Sequence, residues 1–212
     1  MKNKPYFPTP ELIESAISLA LRESSNLGNE ASPSYLEGWS SSKVRHLLNN
    51  ICSGGSPIHY FEVGLYKGST FISALLGNFN IKATGVDIKI TKDLKNNLVK
   101  HLSGYINFEI IESDCFELNQ ERFIDSVDVF FYDGLHRQED QEKAFTDMDS
   151  VFKKRFVVIV DDWNESKVKT GTKLGISKME YNIIYQRELP SSGNGDIDSW
   201  WNGIYIAILE KP

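Results

Sequence analysis

The stretch Phe61–Thr70, FEVGLYKGST, decides the fold. Phe61, Glu62 and Val63 close a β-rich run, Gly64 opens a turn, and Gly68 leads into Ser69-Thr70, which suit a helix start. A glycine directly after a strand lets the backbone pass close to a ligand with no Cβ in the way. The helix start offers free N–H groups to a carboxylate or phosphate. In a doubly wound sheet, ligands bind beyond the carboxyl ends of the strands, where this turn falls.

Outward from that turn, short β-rich runs alternate with helical stretches. The runs are Ile58–Val63, Ala83–Ile88, Ile106–Ile111, Val127–Asp133 and Arg155–Asp161, with helices expected near Ser69–Gly77, Asp93–Leu102, Phe116–Phe123 and Arg137–Phe152. The Phe156–Val160 run has no polar alternation, as a parallel strand covered on both faces requires. Such alternation implies right-handed crossovers and a doubly wound α/β sheet. Toward the end, Tyr181–Arg187 and Ile204–Leu209 are joined by Pro, Ser, Gly, Asn and Asp, and read as an antiparallel hairpin at the sheet edge.

Before the first strand, Thr9 reads as the N-cap of a helix with Pro10 in its first position. Leu12, Ile13, Ala16, Ile17, Ala20 and Leu21 form one helical stripe, Ser24–Glu37 reads as a loop, and Val44, Leu47, Leu48 and Ile51 mark a second helix ended by the 53–57 turn. Residues 1–57 are therefore expected to be a helical cap or lid on the core formed by 58–212. With 41% apolar and 25% charged residues the chain has the means for an ordinary core. A net charge of −6 without a basic cluster argues against nucleic acid as partner. No run has the roughly 18 apolar residues of a membrane span, and the N-terminus has no apolar core of signal-peptide length. Cys52 and Cys115 stand far apart and read as reduced thiols of a cytoplasmic protein. Homo-oligomerisation stays open.

Acids recur at strand ends. Asp87 ends the second run, Asp114 follows the third, Asp133 ends the fourth and Asp161-Asp162 the fifth. A carboxylate at Asp87 can accept ribose hydroxyls. Asp133, Asp161 and Asp162 are expected to converge, since strands four and five are expected to neighbour the first. Carboxylates so close repel unless protons or a cation intervene, and hard oxygen ligands suit Mg²⁺ or another divalent cation. His136 lies near Asp133 in sequence and titrates near neutrality, so it suits a general base or a helix cap. One of the Asp161-Asp162 pair also suits a helix N-cap. His46, His59 and His101 read as structural. Trp163 is expected as a substrate wall, and Trp200 and Trp201 as packing or subunit contacts.

The Glu62-x-Gly64-x-x-x-Gly68 spacing resembles the first motif of class I S-adenosylmethionine-dependent methyltransferases and not the G-x-G-x-x-G of dinucleotide folds. Asp133-Gly134-Leu135-His136 with Asp161-Asp162 is similar to metal-dependent small-molecule O-methyltransferases of the macrolide-sugar type, and Asp162 departs from the Asn common in the catechol type. The resemblance runs from about Tyr35 to the end of the sequence. It implies a Rossmann-like, seven-stranded class I methyltransferase fold: five parallel strands and a C-terminal antiparallel hairpin. It further implies S-adenosyl-L-methionine held by Glu62, Gly64, Gly68, Ser69, Thr70, Asp87, Ile88, Asp114, Cys115 and Asp133. Glu62 would meet the cofactor's amino group directly or through water, and Asp114 the adenine amino group. Asp133, Asp161 and Asp162 would hold the cation, and His136 and Asp133 would be catalytic. Glu37–Lys43 resembles a lead-in segment that closes over cofactor and a small-molecule acceptor. Two other readings remain on the same fold: an NAD-type oxidoreductase, and a non-catalytic S-adenosylmethionine-binding protein.

Overall fold

The computed structural model describes residues 7–25, 32–54 and 57–212. Parts of the expected 24–37 loop and 53–57 turn lie outside these residues. One mixed sheet of seven strands runs β3-β2-β1-β4-β5-β7-β6. Its strands are β1 (His59–Val63), β2 (Lys82–Asp87), β3 (Phe108–Glu112), β4 (Val127–Tyr132), β5 (Phe152–Val160), β6 (Asn182–Leu189) and β7 (Ile204–Glu210). The first five are parallel, and β7 enters antiparallel between β5 and β6. The expected hairpin is present, with β7 as its inner strand. Strand β5 does not border β1, because β4 lies between them.

Helices α1 (Pro10–Glu23), α2 (Ser42–Cys52), α3 (Ser69–Leu75) and α4 (Lys92–Leu102) contribute to one face, and α5 (Gln138–Thr146) and α6 (Ser166–Lys178) cover the other. The alternation of strand side chains divides the core in two. Val129, Phe131, Val157 and Ile159 pack under α1–α3, while Phe130, Tyr132, Phe156, Val158 and Val160 pack under α5 and α6. Two-sided burial is why Phe156–Val160 carries no polar residue. Thr9 caps α1 by accepting Leu12 N–H at 3.3 Å, as the sequence suggests. Among the described residues no helix is long and apolar enough to cross a membrane.

Three elements differ from expectation. The Phe116–Phe123 helix is replaced by two 3₁₀ turns, Cys115–Glu117 and Gln120–Arg122. The carboxylate of Asp114 accepts Phe116 N–H and the amide oxygen of Asn119 accepts Glu121 N–H, so side chains take donors an α-helix would use. The Arg137–Phe152 helix stops at Thr146; a 3₁₀ turn follows, and Phe152 already belongs to β5. Helix α6 was not foreseen, since SKVKTGTKLGISK has weak periodicity and two poor helix formers, Gly171 and Gly175. Tertiary packing holds it: a Cβ on Gly171 would stand 2.2 Å from the Gln138 carbonyl oxygen, so glycine permits α6 to lie against α5.

Candidate active site

The site lies at the carboxyl ends of β1, β2, β4 and β5, where four loops meet. Gly64 has φ +89°, and a Cβ there would fall 1.9 Å from the Asp133 carbonyl oxygen. Only glycine lets the turn after β1 pass against the end of β4. Gly68 is the N-cap residue of α3. Asp87 shapes the same turn: its carboxylate accepts Leu65 N–H at 2.7 Å, Tyr66 N–H at 3.1 Å and Lys89 N–H at 2.9 Å. An ionised carboxylate has about four acceptor positions. Three are taken, which leaves one free.

Two cavities flank this turn and share Gly64, Asp87 and Asp133. One, of about 510 Å³, is lined by Ser69, Thr70, His136, Asp161 and Asp162 and by aromatic side chains. The other, of about 420 Å³, is lined by Ile88, Asp114, Cys115, Phe116, Tyr132 and Leu135. Most of the residues expected at a cofactor thus border one or both cavities. Cys115 is a buried thiol pushed up to about 12 by burial and the neighbouring Asp114 charge, so it packs rather than reacts.

Glu62 does not reach either cavity. Its side chain is fully buried, and its oxygens accept hydrogen bonds from Tyr60 Oη and Thr70 Oγ1, each at 2.5 Å. Burial pushes the carboxyl up to about 8 despite those two bonds, with the Asp133 and Asp87 charges adding to the rise. At that position it fixes Thr70, which does line the cleft.

The acid cluster forms, with a changed membership. Asp133, His136 and Asp162 offer ligand atoms that all lie within 4.8 Å of one another. His136 Nε2 is 2.8 Å from Asp162 Oδ2 and 3.8 Å from Asp133 Oδ1, and its Nδ1 is 3.9 Å from Glu165 Oε1. Asp161 stands beside the cluster; its Oδ1 accepts the Asp162 N–H at 2.8 Å. Neither acid caps α6, whose N-cap is Glu165. Asp162 has φ +55°, a left-handed conformation that is costly for a non-glycine residue and turns its side chain back toward His136.

Electrostatics separate these groups. The Asp133 and Asp162 carboxylates push His136 up to about 10 against the effect of its burial, and the 2.8 Å approach makes Asp162 the closer partner. His136 therefore keeps its proton through neutral pH when no cation is bound, so it is not a free base in that state. Burial works against the Asp162 charge, but the bonds from His136 and Asn202 outweigh it and hold the carboxyl below its usual range. Burial raises Asp133 to about 6, and burial with the neighbouring Asp133 and Asp162 charges raises Asp161. Two carboxylates and one imidazole at this spacing fit a divalent cation, oxygen-rich with one nitrogen donor.

Sequence reasoning did not find Asn202, whose Nδ2 donates to Asp162 Oδ1 at 2.6 Å from 40 residues away. Only tertiary structure connects the β6–β7 loop to that acid, and no local signal marks it. Nor did it find Tyr66, which stacks on Trp39 at the mouth of the cleft with ring centroids 4.6 Å apart. Trp163 is not a substrate wall. It is 1% exposed, stacks on Tyr205 at 4.3 Å and belongs to the core under α5 and α6. Trp200 packs in the core as expected, and Trp201 packs against that core while also lining the acid cleft. His59 and His46 are buried and bonded within the fold.

No protein-family model and no curated protein matches this sequence. Solved structures do match in shape. Cofactor-bound Rv0187 from MTB superposes with a TM-score of 0.59 at 12% identity, over 98% of this chain and 94% of that one. An O-methyltransferase from Bacillus cereus in complex with SAH gives 0.58 at 11% identity, over 97% and 94%. TYW2 from M. jannaschii in complex with AdoMet gives 0.58 at 12% identity, over 88% and 79%. With its strand order and terminal antiparallel pair, the chain has the class I methyltransferase fold.

Proposed function

We propose that the chain transfers the methyl group of S-adenosylmethionine to a hydroxyl of a small molecule, with a divalent cation at the reaction site. The observation that carries this reading is the meeting of two cavities at Gly64, Asp87 and Asp133, one ending at Asp114 and the other at the acid cluster. A two-part ligand with a nucleoside at one end and a reactive centre at the other fits such a pair. Two of the similar structures, the O-methyltransferase in complex with SAH and TYW2 in complex with AdoMet, agree with it.

In this reading Ile88, Asp114 and Cys115 receive the adenine, Asp87 one ribose hydroxyl, and Gly64, Ser69 and Thr70 the amino-acid end. Asp133, Asp162 and His136 hold the cation, and Asn202 keeps Asp162 aimed. A divalent cation supplies one thing when bound: it lowers the pKa of an acceptor hydroxyl. The acceptor oxygen attacks the sulfonium methyl in line, a C–O bond forms as the S–C bond breaks, and S-adenosylhomocysteine leaves. The hydroxyl proton passes to one of the carboxylates that face the same cavity, where Asp161 stands beside the cluster. Positioning supplies much of the rate. A small acceptor is favoured over nucleic acid because no lysine or arginine lines the cleft among the described residues.

The test is calorimetric titration with S-adenosylhomocysteine, with Mg²⁺ present and then chelated, followed by methylation assays on hydroxylated acceptors. One-site binding and chelator-sensitive turnover are expected. No binding in either condition sinks the reading; turnover that survives chelation removes the cation from it.

A further inference from the structure

Away from the acid cluster, a smaller cavity of about 170 Å³ is enclosed by three parts of the chain. Leu36 and Glu37 come from the segment before α2, Lys67 and Ser69 from the turn after β1 and the start of α3, and Lys100 and His101 from the last turn of α4. Ser69 is the one residue it shares with the acid cleft. The wall between the two is closely packed there: Ser69 Oγ meets Ser40 Oγ at 3.1 Å, and a Cβ on Gly38 would stand 2.1 Å from it.

The charge around this cavity is not balanced. Lys67 and Lys100 line it with His101, and Glu37 is the one carboxylate among its lining residues. Among the described residues neither lysine forms an ion pair. Lys67 Nζ lies 5.7 Å from the centre of the Tyr66 ring, which attracts the cation without neutralising it. A further cation stands beside Leu36. Arg45 is 8% exposed and donates to the Leu36 carbonyl, yet its Nε has no hydrogen-bond partner and no carboxylate pairs with it among the described residues. Burial pulls this guanidinium down to about 10 with no acid to counter it. Buried charges are ordinarily paired, because an unpaired one loses its hydration for nothing. In a chain with a net charge of −6, a place where cations outnumber acids stands apart. The acid cleft has the opposite balance, four aspartates to one histidine.

We infer that this cavity binds a tetrahedral oxyanion of the phosphate or sulfate type, held by Lys67, Lys100 and His101, with Arg45 adding positive charge from beside Leu36. The size agrees. At about 170 Å³ the space is below the roughly 300 Å³ at which sites for whole organic ligands begin, and it is several times the roughly 30 Å³ share of one water. An anion there joins the segment that leads to Trp39 and Ser40 to the end of α4. The inference does not depend on the methyl-transfer reading.

Calorimetry on the whole chain with inorganic phosphate, in a buffer without other oxyanions, tests it. One-site binding that sulfate displaces is expected. Lys100→Gln and Lys67→Gln are each expected to weaken phosphate at least about fivefold, as loss of a charge-assisted contact does, with melting temperatures close to that of the parent. Lys173→Gln, on α6 and outside the cavity, is expected to leave the affinity within about twofold. Phenyl phosphate separates two sources of the anion. Binding tighter than that of inorganic phosphate assigns the site to the phosphate arm of an organic molecule, and equal or weaker binding assigns it to the inorganic anion. Absence of phosphate binding, an affinity that either Lys100→Gln or Lys67→Gln leaves unchanged, or an equal loss in Lys173→Gln overturns the inference.

Discussion

The two ends of the sheet both carry a histidine among carboxylates, and they use it in opposite ways. At the amino ends of the strands, His59 has Nδ1 3.1 Å from Ser126 Oγ and Nε2 2.9 Å from Thr84 Oγ1. Its neighbour Asp128 accepts His59 N–H at 2.8 Å and takes Lys153 Nζ on both oxygens. Burial, with the Lys82 and Lys153 charges, pushes His59 down to about 4. At the carboxyl ends, His136 is partly open, faces three acids and is pushed up to about 10. The cavity at the amino ends is the larger, about 700 Å³ against about 510 Å³. Size therefore does not find the site. What distinguishes the carboxyl end is that its charged groups are left with spare capacity, while His59 and Asp128 have spent theirs on each other and on the fold.

The largest expected effect that would sharpen this contrast is at Asp162. Asp162→Asn keeps the shape and the left-handed backbone, which asparagine tolerates, but removes the charge. Methyl transfer should drop by about a thousandfold, roughly 4 kcal/mol of transition-state stabilisation, with a melting temperature close to that of the parent. A large fall in melting temperature, with activity lost only in proportion, would make the cluster structural like its counterpart at the other end.

The pH dependence of folding separates the two histidines next. His59 has a lowered pKa in the fold, so an unfolded chain takes up a proton below about 6.5 that the folded chain refuses until about 4. Its contribution to stability is thus fully present above pH 6.5 and is lost as the pH falls toward 4, on the order of 3 kcal/mol for that shift. Denaturant titrations of the parent and His59→Gln across this window should show the steeper acid loss in the parent. Parallel curves would break the comparison.

Asp128→Ala comes third. It leaves Lys153 and the His59 N–H without their acceptor, a cost of about 2–3 kcal/mol in chemical unfolding, while S-adenosylhomocysteine affinity should stay unchanged. Loss of that affinity in a protein that still folds would show that the ends are coupled. Smallest is Gly171→Ala, expected to cost about 1–2 kcal/mol by forcing α6 off α5. A stabilised variant would mean that the close approach is slack.

Much of the fold was legible because its signals are local. Phe156–Val160 states a two-sided strand by its own composition, and Gly64 marks a crowded turn. Asp133, Asp161 and Asp162 were found because each ends a strand, and in this topology strand ends converge. What a local signal cannot say is which way a side chain points once the sheet has two covered faces. Glu62 turns inward to Tyr60 and Thr70, and Trp163 turns to Tyr205 rather than to the cleft. Nor can it announce partners distant in sequence: Asn202 reaches Asp162 only through the β6–β7 loop. Helix α6 was hidden because its two glycines serve a neighbour, and propensity counts them as breakers.

The position of β7 has a consequence for the order in which the molecule is assembled. It is the last strand in sequence, yet it sits between β5 and β6, so β6 has no partner in the sheet until β7 arrives. The loop that joins them brings Trp201 to the cleft wall and Asn202 to Asp162. During synthesis the first five strands can pair and the turn after β1 can form while Asp162 still lacks its amide partner. Completion of the sheet and completion of the Asn202–Asp162 contact are then closely tied, so a chain stalled before the β6–β7 loop would have its first five strands and the turn after β1 but an Asp162 without its amide partner.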